Sequence, residues 1–204
     1  MRQPLAETSG EYTSFAHRVL WESSRRHLLI AGERPSDSWM LHLSAGLLGA
    51  AAFEAYLNYV GEEMLPHVWK DERRFFSSPT YRGTNGKLRR IAEELGFSLP
   101  PRTHKPYAGW LSLVELRDKL VHARPKKVTY RTTHRADKFP KEPTTWLRAE
   151  ASPEIVRKLI DTTECFATEL HSLILRLEFR HVVFGSHPFL GALAFGSRRV
   201  RYAG

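Results

Sequence analysis

The sequence predicts a nearly all-α protein. Three observations carry that prediction. Apolar residues recur at helical spacing over most of the chain, glycine and proline punctuate the ends of those stretches, and strand-like residues are confined to one segment, 127–150. The chain has 204 residues, 42% of them hydrophobic and 26% charged, which is the composition of a globular domain able to bury its own core.

The first helix is expected from about Ser9 to Ala31, with Tyr12, Phe15, Val19, Leu20 and Leu28 as its apolar stripe and Gly32 and Pro35 as its stop. Ser36 is a good N-cap for a second helix running to about Met64, ahead of Pro66. Its small residues Gly46, Gly49, Ala50, Ala51 and Ala52 admit close neighbours and mark it as the most buried helix. The apolar run Trp39–Val60 has a membrane-spanning length, but His42, Glu54 and Asn58 interrupt it, and a carboxylate is costly at membrane depth. It reads as the core helix of a soluble bundle, with no membrane partner.

Residues 66–85 read as irregular. A short helix follows from Gly86 to Leu95, with Leu88, Ile91, Ala92 and Leu95 on one face and Gly96 as its stop. The next helix is expected from about Tyr107 to His122, closed by Pro125. Within 127–150, Val128–Thr133 and Thr144–Arg148 have the residues of two short strands around a charged loop. Ser152-Pro153-Glu154 opens a last long helix, with a serine cap, proline at the first position and an acid in the first turn, running to about Phe179. Residues 1–180 therefore read as one helical domain with an insertion at 127–150. Residues 181–204 form a tail to which the sequence assigns no fold.

The lone Cys165 offers no internal disulfide and no argument for secretion, and its helical setting predicts a small buried apolar residue. Met1–Glu7 lacks the apolar core of a signal peptide, so a cytoplasmic protein is expected. No histidine shows zinc-ligand spacing, and neither a metal nor a cofactor is expected. Gly83-Thr84-Asn85-Gly86-Lys87 lacks the spacing of a phosphate-binding loop and reads as a turn before a helix. The net charge of +9 favours polyanionic partners, although a basic surface that only aids solubility has the same charge.

Chemistry is most concentrated at Arg117-Asp118-Lys119-Leu120-Val121-His122. Histidine exchanges protons near neutral pH, and arginine grips phosphate oxygens as a charged fork. RNA supplies its own nucleophile in the 2′-hydroxyl, so such a pair suits RNA cleavage without a metal. On a continuous helix, residues five apart diverge by about 140°. Convergence therefore needs a helix that distorts or ends between them, or a second copy of the chain. On spacing alone, an amphipathic helix end with His122 near the last carbonyls is the better reading. Glu54 and Asn58 are i and i+4, polar on an otherwise buried helix. They either bridge neighbouring helices or line the same site. Lys126, Lys127, Arg131, Arg135 and Lys138, interleaved with Tyr130 and Phe139, form either an RNA-contacting stretch or a solvated loop.

The alanine-rich helix ending Phe53-Glu54-Ala55-Tyr56-Leu57-Asn58, followed by Leu116-Arg117-Asp118-Lys119-Leu120-Val121-His122, resembles the HEPN superfamily. The superfamily's signature is an arginine, commonly a polar residue next, and a histidine four to six residues on. The likeness spans about Ser36 to Arg124. It implies an antiparallel helical bundle, a homodimer that brings two signatures together, and frequently metal-independent endoribonuclease activity. It also implies a place in toxin–antitoxin or antiphage systems, with RNA as substrate and an antitoxin or defence-system protein as partner. By position it makes Arg117 and His122 catalytic and puts Asp118 at the polar position, where asparagine is common and aspartate adds negative charge beside the phosphate.

Overall fold

The computed structural model describes residues 6–34, 38–124, 151–176 and 185–202, together with Thr129, Arg131 and Thr133. It is mainly helical. The long helices are α1 (Ala16–Glu33), α2 (Ser38–Met64), α5 (Gly83–Glu94), α6 (Lys105–Val121) and α7 (Pro153–Arg176). Two single-turn helices, α3 (Pro66–Trp69) and α4 (Glu72–Phe75), and a 3₁₀ turn at Pro79–Tyr81 occupy the segment expected to be irregular. Prolines at the first positions of α3 and of the 3₁₀ turn explain why these turns begin where they do. The strands expected at 128–133 and 144–148 fall outside the described residues, apart from Thr129, Arg131 and Thr133.

α2 is the hub, packed against α1, α3, α5, α6 and α7. The small residues make this possible. A Cβ on Gly46 would lie 3.4 Å from Val156 and 3.8 Å from Leu113, and one on Gly49 would lie 3.4 Å from the Ser24 hydroxyl. The Ser24 hydroxyl donates to the Ala45 carbonyl at 2.8 Å, tying α1 to α2. Phe53, Trp110, Tyr107 and Phe166 stack at the centre, with neighbouring rings 5.1–5.9 Å apart. α2 is long and apolar enough to cross a membrane, but half of its most apolar window is buried inside the bundle, which is compatible with a soluble protein.

The chain's first element departs from the expectation. Ala6–Ser14 is a strand, and the helix begins only at Ala16. Its partner is Ala194–Tyr202, in the tail left unassigned by the sequence, paired antiparallel from Ala6 opposite Tyr202 to Ser14 opposite Ala194. Phe15 continues the union by donating its amide to the Leu193 carbonyl at 2.9 Å. Gly10 weakens a helix here, Thr8, Tyr12 and Thr13 suit a strand, and a partner distant in sequence decides the matter. The buried face of α1 also differs. Val19 is exposed, while His17, Arg18, Trp21, Ser24, Leu28 and Ala31 face inward. Counting only apolar residues missed this face because half of it is polar.

Cys165 is exposed rather than buried. Ile160, Thr163, Phe166, Ala167, Leu170 and Ile174 form the inner face of α7, and the helical period puts Cys165 on the opposite, outward face.

Candidate functional site

α2, α5 and α6 meet in a network of charged and polar side chains. Glu54, midway along α2, is the centre. Its carboxylate accepts from Arg117 Nη1 of α6 at 2.9 Å, from the Thr84 hydroxyl of α5 at 2.9 Å and from Lys87 Nζ of α5 at 3.2 Å. Arg117 Nη2 also donates to the Thr84 oxygen at 3.2 Å. Lys87 pairs in addition with Glu72 of α4 and lies over the Phe76 ring. Its ammonium is almost wholly enclosed, a position tolerated only because two carboxylates flank it. Burial by itself would raise the Glu54 pKa. The Lys87 charge and the hydrogen bonds from Thr84, Arg117 and Lys87 outweigh it and hold the carboxyl below its ordinary value.

Local sequence explains how α5 reaches this position. Gly83 has a φ of +67°, a turn suited to glycine that swings the chain into the helix. At Gly86 any Cβ would overlap the Tyr81 carbonyl, so only glycine allows the first turn of α5 to fold against the preceding 3₁₀ turn. Thr84 and Lys87 then continue the buried stripe of Leu88, Ile91 and Leu95 toward α2. Sequence reasoning overlooked both residues. The available signal was two polar residues extending an apolar face.

Arg117 is about a quarter exposed, at the rim of the network. Its Nε lies 2.8 Å from Asp118 Oδ1, although the N–H is not aimed for a hydrogen bond. α6 continues unbroken to Val121. His122 follows as its C-cap, with its amide bonded to the Asp118 carbonyl at 3.0 Å and its side chain exposed. The helix therefore does not end between Arg117 and His122, and by helical period the two diverge within one chain. Among the described residues no hydrogen bond or ion pair joins their side chains.

The structure thus brings together Glu54, Arg117 and Asp118, and adds Thr84 and Lys87. Asn58 turns elsewhere: its Oδ1 accepts from Trp69 Nε1 of α3 at 3.4 Å, a bridge between neighbouring helices. Arg131 is exposed, and Lys126, Lys127 and Arg135 fall outside the described residues. A groove of ≈ 720 Å³ lies between α6 and α7, lined in part by Leu116, Lys119 and Lys158. Comparison with protein-family models, curated proteins and solved structures finds nothing that matches the chain.

What the arrangement can do chemically is present a fixed guanidinium. Nη1 and Nη2 each spend a proton on a protein partner, which sets the plane of the fork. The exposed edge keeps donors to offer an anion. Counted together, Arg117 and Lys87 face Glu54, Glu72 and Asp118, so the local charge is slightly negative.

Proposed function

We propose that the chain is a metal-independent endoribonuclease of the HEPN type, working as a homodimer in the cytoplasm in a toxin–antitoxin or antiphage role. The observation that carries the reading is Arg117 held at the rim by Glu54 and Thr84, five residues before an exposed His122. The divergence of the two side chains in one chain fits a site assembled from two copies. In that site His122 takes the 2′-hydroxyl proton, the 2′-oxygen bonds to phosphorus, and the 5′-oxygen leaves and takes up a proton from the partner's His122. Arg117 stabilises the charge that builds on the phosphoryl oxygens.

The test is purified protein with RNA in excess chelator. Cleavage with a 2′,3′-cyclic phosphate end is expected. His122→Ala is expected to lower the rate by about two to four orders of magnitude, and Arg117→Lys to restore little, because lysine lacks the fork. DNA, and RNA methylated at the 2′-oxygen, should resist. Magnesium dependence, DNA cleavage or full activity of His122→Ala would sink the reading.

One observation favours a second reading, a non-catalytic RNA-binding or protein-interaction module. Three carboxylates around two cations oppose a phosphate at Arg117. If the protein binds RNA without cutting it, Asp118→Asn removes one of those charges, and a gain of cleavage would return the first reading.

A further inference from the structure

On another face of α2, around Tyr56, residues 185–193 lie across α1 and α7 and lead directly into the second strand. Their attachment combines polar contacts with one buried aromatic side chain. Arg18, itself 2% exposed, donates from Nη1 to the Ala192 carbonyl at 2.8 Å. His171 of α7 meets the Gly185 carbonyl through Nε2 at 3.1 Å. His187 accepts two amides at Nδ1, from Phe189 at 3.1 Å and from Leu190 at 3.2 Å. The apolar anchor is Phe189, itself 2% exposed, whose ring stacks on Trp21 at 4.2 Å with an interplanar angle of 13° and meets the Tyr56 ring edge-on at 5.9 Å.

The proton inventory of this strap is restrictive. A carbonyl has no proton to give, so His171 Nε2 carries one and Nδ1 accepts from the Tyr56 hydroxyl, 2.9 Å away. A protonated His171 still has an outlet, because a phenolic oxygen also accepts. His187 has none. Its Nδ1 faces two N–H groups, and a proton there would turn two hydrogen bonds into two donor–donor contacts.

We propose that His187 is an acid-sensitive latch: while neutral it folds residues 185–193 over Trp21, and its protonation releases this strap from α1 and α7.

The surroundings agree in direction. The groups facing His187 are Glu164 and Thr168 of α7 and Arg18 of α1. Those facing His171 are Tyr56 of α2, His17 and Arg18 of α1, and His187 itself. Burial and the Arg18 charge lower the His187 pKa, and Glu164, 3.9 Å from Nε2, opposes them without prevailing. Burial likewise lowers His171, and it takes His17 from 6.5 to about 4, with Arg18 and His171 adding to the effect. A histidine kept neutral when closed and free to protonate when open favours closure above its ordinary pKa, and that preference fades as pH falls. For an ordinary pKa of about 6.5, acidification to pH 5 favours opening by up to about 30-fold per such histidine.

Amide hydrogen exchange on the full chain, corrected for intrinsic pH dependence, tests the latch. The Phe189 and Leu190 amides are expected to lose about tenfold or more of their protection between pH 7 and pH 5, while the central amides of α2 keep theirs. His187→Asn preserves an acceptor for both amides and has no proton to gain, so its strap should stay closed at pH 5. His187→Ala should be open already at pH 7. The wild-type His187 ring, followed by NMR, should titrate over the pH range in which protection is lost. Unchanged protection in the wild type, equal loss in His187→Asn, loss shared by α2, or a ring that titrates elsewhere would each overturn the proposal.

Discussion

Two faces of α2, one carrying Glu54 and the other Tyr56, bury polar groups in opposite ways. Toward α5 and α6, Glu54, Lys87 and Arg117 keep full charges and settle them by pairing at a partly solvated rim. Toward α1, α7 and the strap, His17, Tyr56 and His171 are enclosed as neutral groups and settle by hydrogen bonds and ring contacts, beside one buried charge, Arg18, which meets the Ala192 carbonyl and the Phe15 ring. The difference follows from access to water. Desolvating an ion is far costlier than desolvating a neutral donor or acceptor, so the carboxylates and Lys87 keep to the side where opposite charge and some solvent are at hand, while Arg18 relies on a carbonyl and a ring face. Acid separates the two faces. The histidine side is fully stabilising above pH 6.5 and weakens as pH falls toward about 4, the value His17 reaches in the fold. The Glu54 side is stabilising above the ordinary carboxyl value of 4.5 and is lost only as pH falls through its depressed pKa. The strap side should therefore soften first.

The largest effect expected from a single change breaks the neutral side. Trp21 is 1% exposed and supplies the stacking surface for Phe189. Trp21→Ala should cost about 3–5 kcal/mol, the usual range for emptying a buried aromatic site. Urea unfolding measures it. A loss under about 1 kcal/mol would mean that the strap closes over the cavity by itself and that Trp21 is not its anchor.

The contrast also explains what the sequence revealed. The charged side was half legible. Glu54 stood out as a carboxylate on an alanine-rich helix and Arg117 as the start of a signature, and the two do meet. Thr84 and Lys87 hid in what reads as a turn, because two polar residues extending an apolar face do not reveal that the lysine will be buried between two acids. The neutral side was not legible. His17 and His171 are isolated histidines 154 positions apart in the chain, and the strap that joins their surroundings comes from a tail without periodicity. The long helices were read within a few residues, since 3.6-residue spacing is local, except that α1 starts seven residues after the expected Ser9; the two single-turn helices at 66–75 were not read. The paired strands were not, since Ala6–Ser14 becomes a strand only by meeting Ala194–Tyr202.

A smaller effect is expected on the charged side. Glu54→Ala leaves Lys87 to Glu72 and Arg117 to Asp118. Breaking a buried pair costs about 3–5 kcal/mol when the survivor has nothing else. Here substitute partners and partial exposure reduce this to about 2 kcal/mol. The sharper measurement is the double variant. Glu54→Ala with Lys87→Met removes both buried charges and should recover part of the loss, because the uncompensated ammonium is the main cost. If the double variant is less stable than the sum of the singles, the network is held by something other than charge compensation.

The smallest effect probes the neutral side without emptying it. Tyr56→Phe removes one hydroxyl, keeps the ring packed against Phe53 and Phe189, and leaves His171 Nδ1 without its donor. One orphaned buried acceptor costs about 1–2 kcal/mol. The informative readout is the His171 tautomer, by ¹⁵N NMR. The Gly185 carbonyl still requires a proton at Nε2, so the tautomer should not change although the Tyr56 bond is gone. His171 would then hold the strap without help from the Tyr56 hydroxyl. A shift of the proton to Nδ1 would assign its placement to Tyr56 instead. In that case the strap would depend on the Tyr56 hydroxyl as well as on its ring, and would be tied more closely to the helix that carries Glu54.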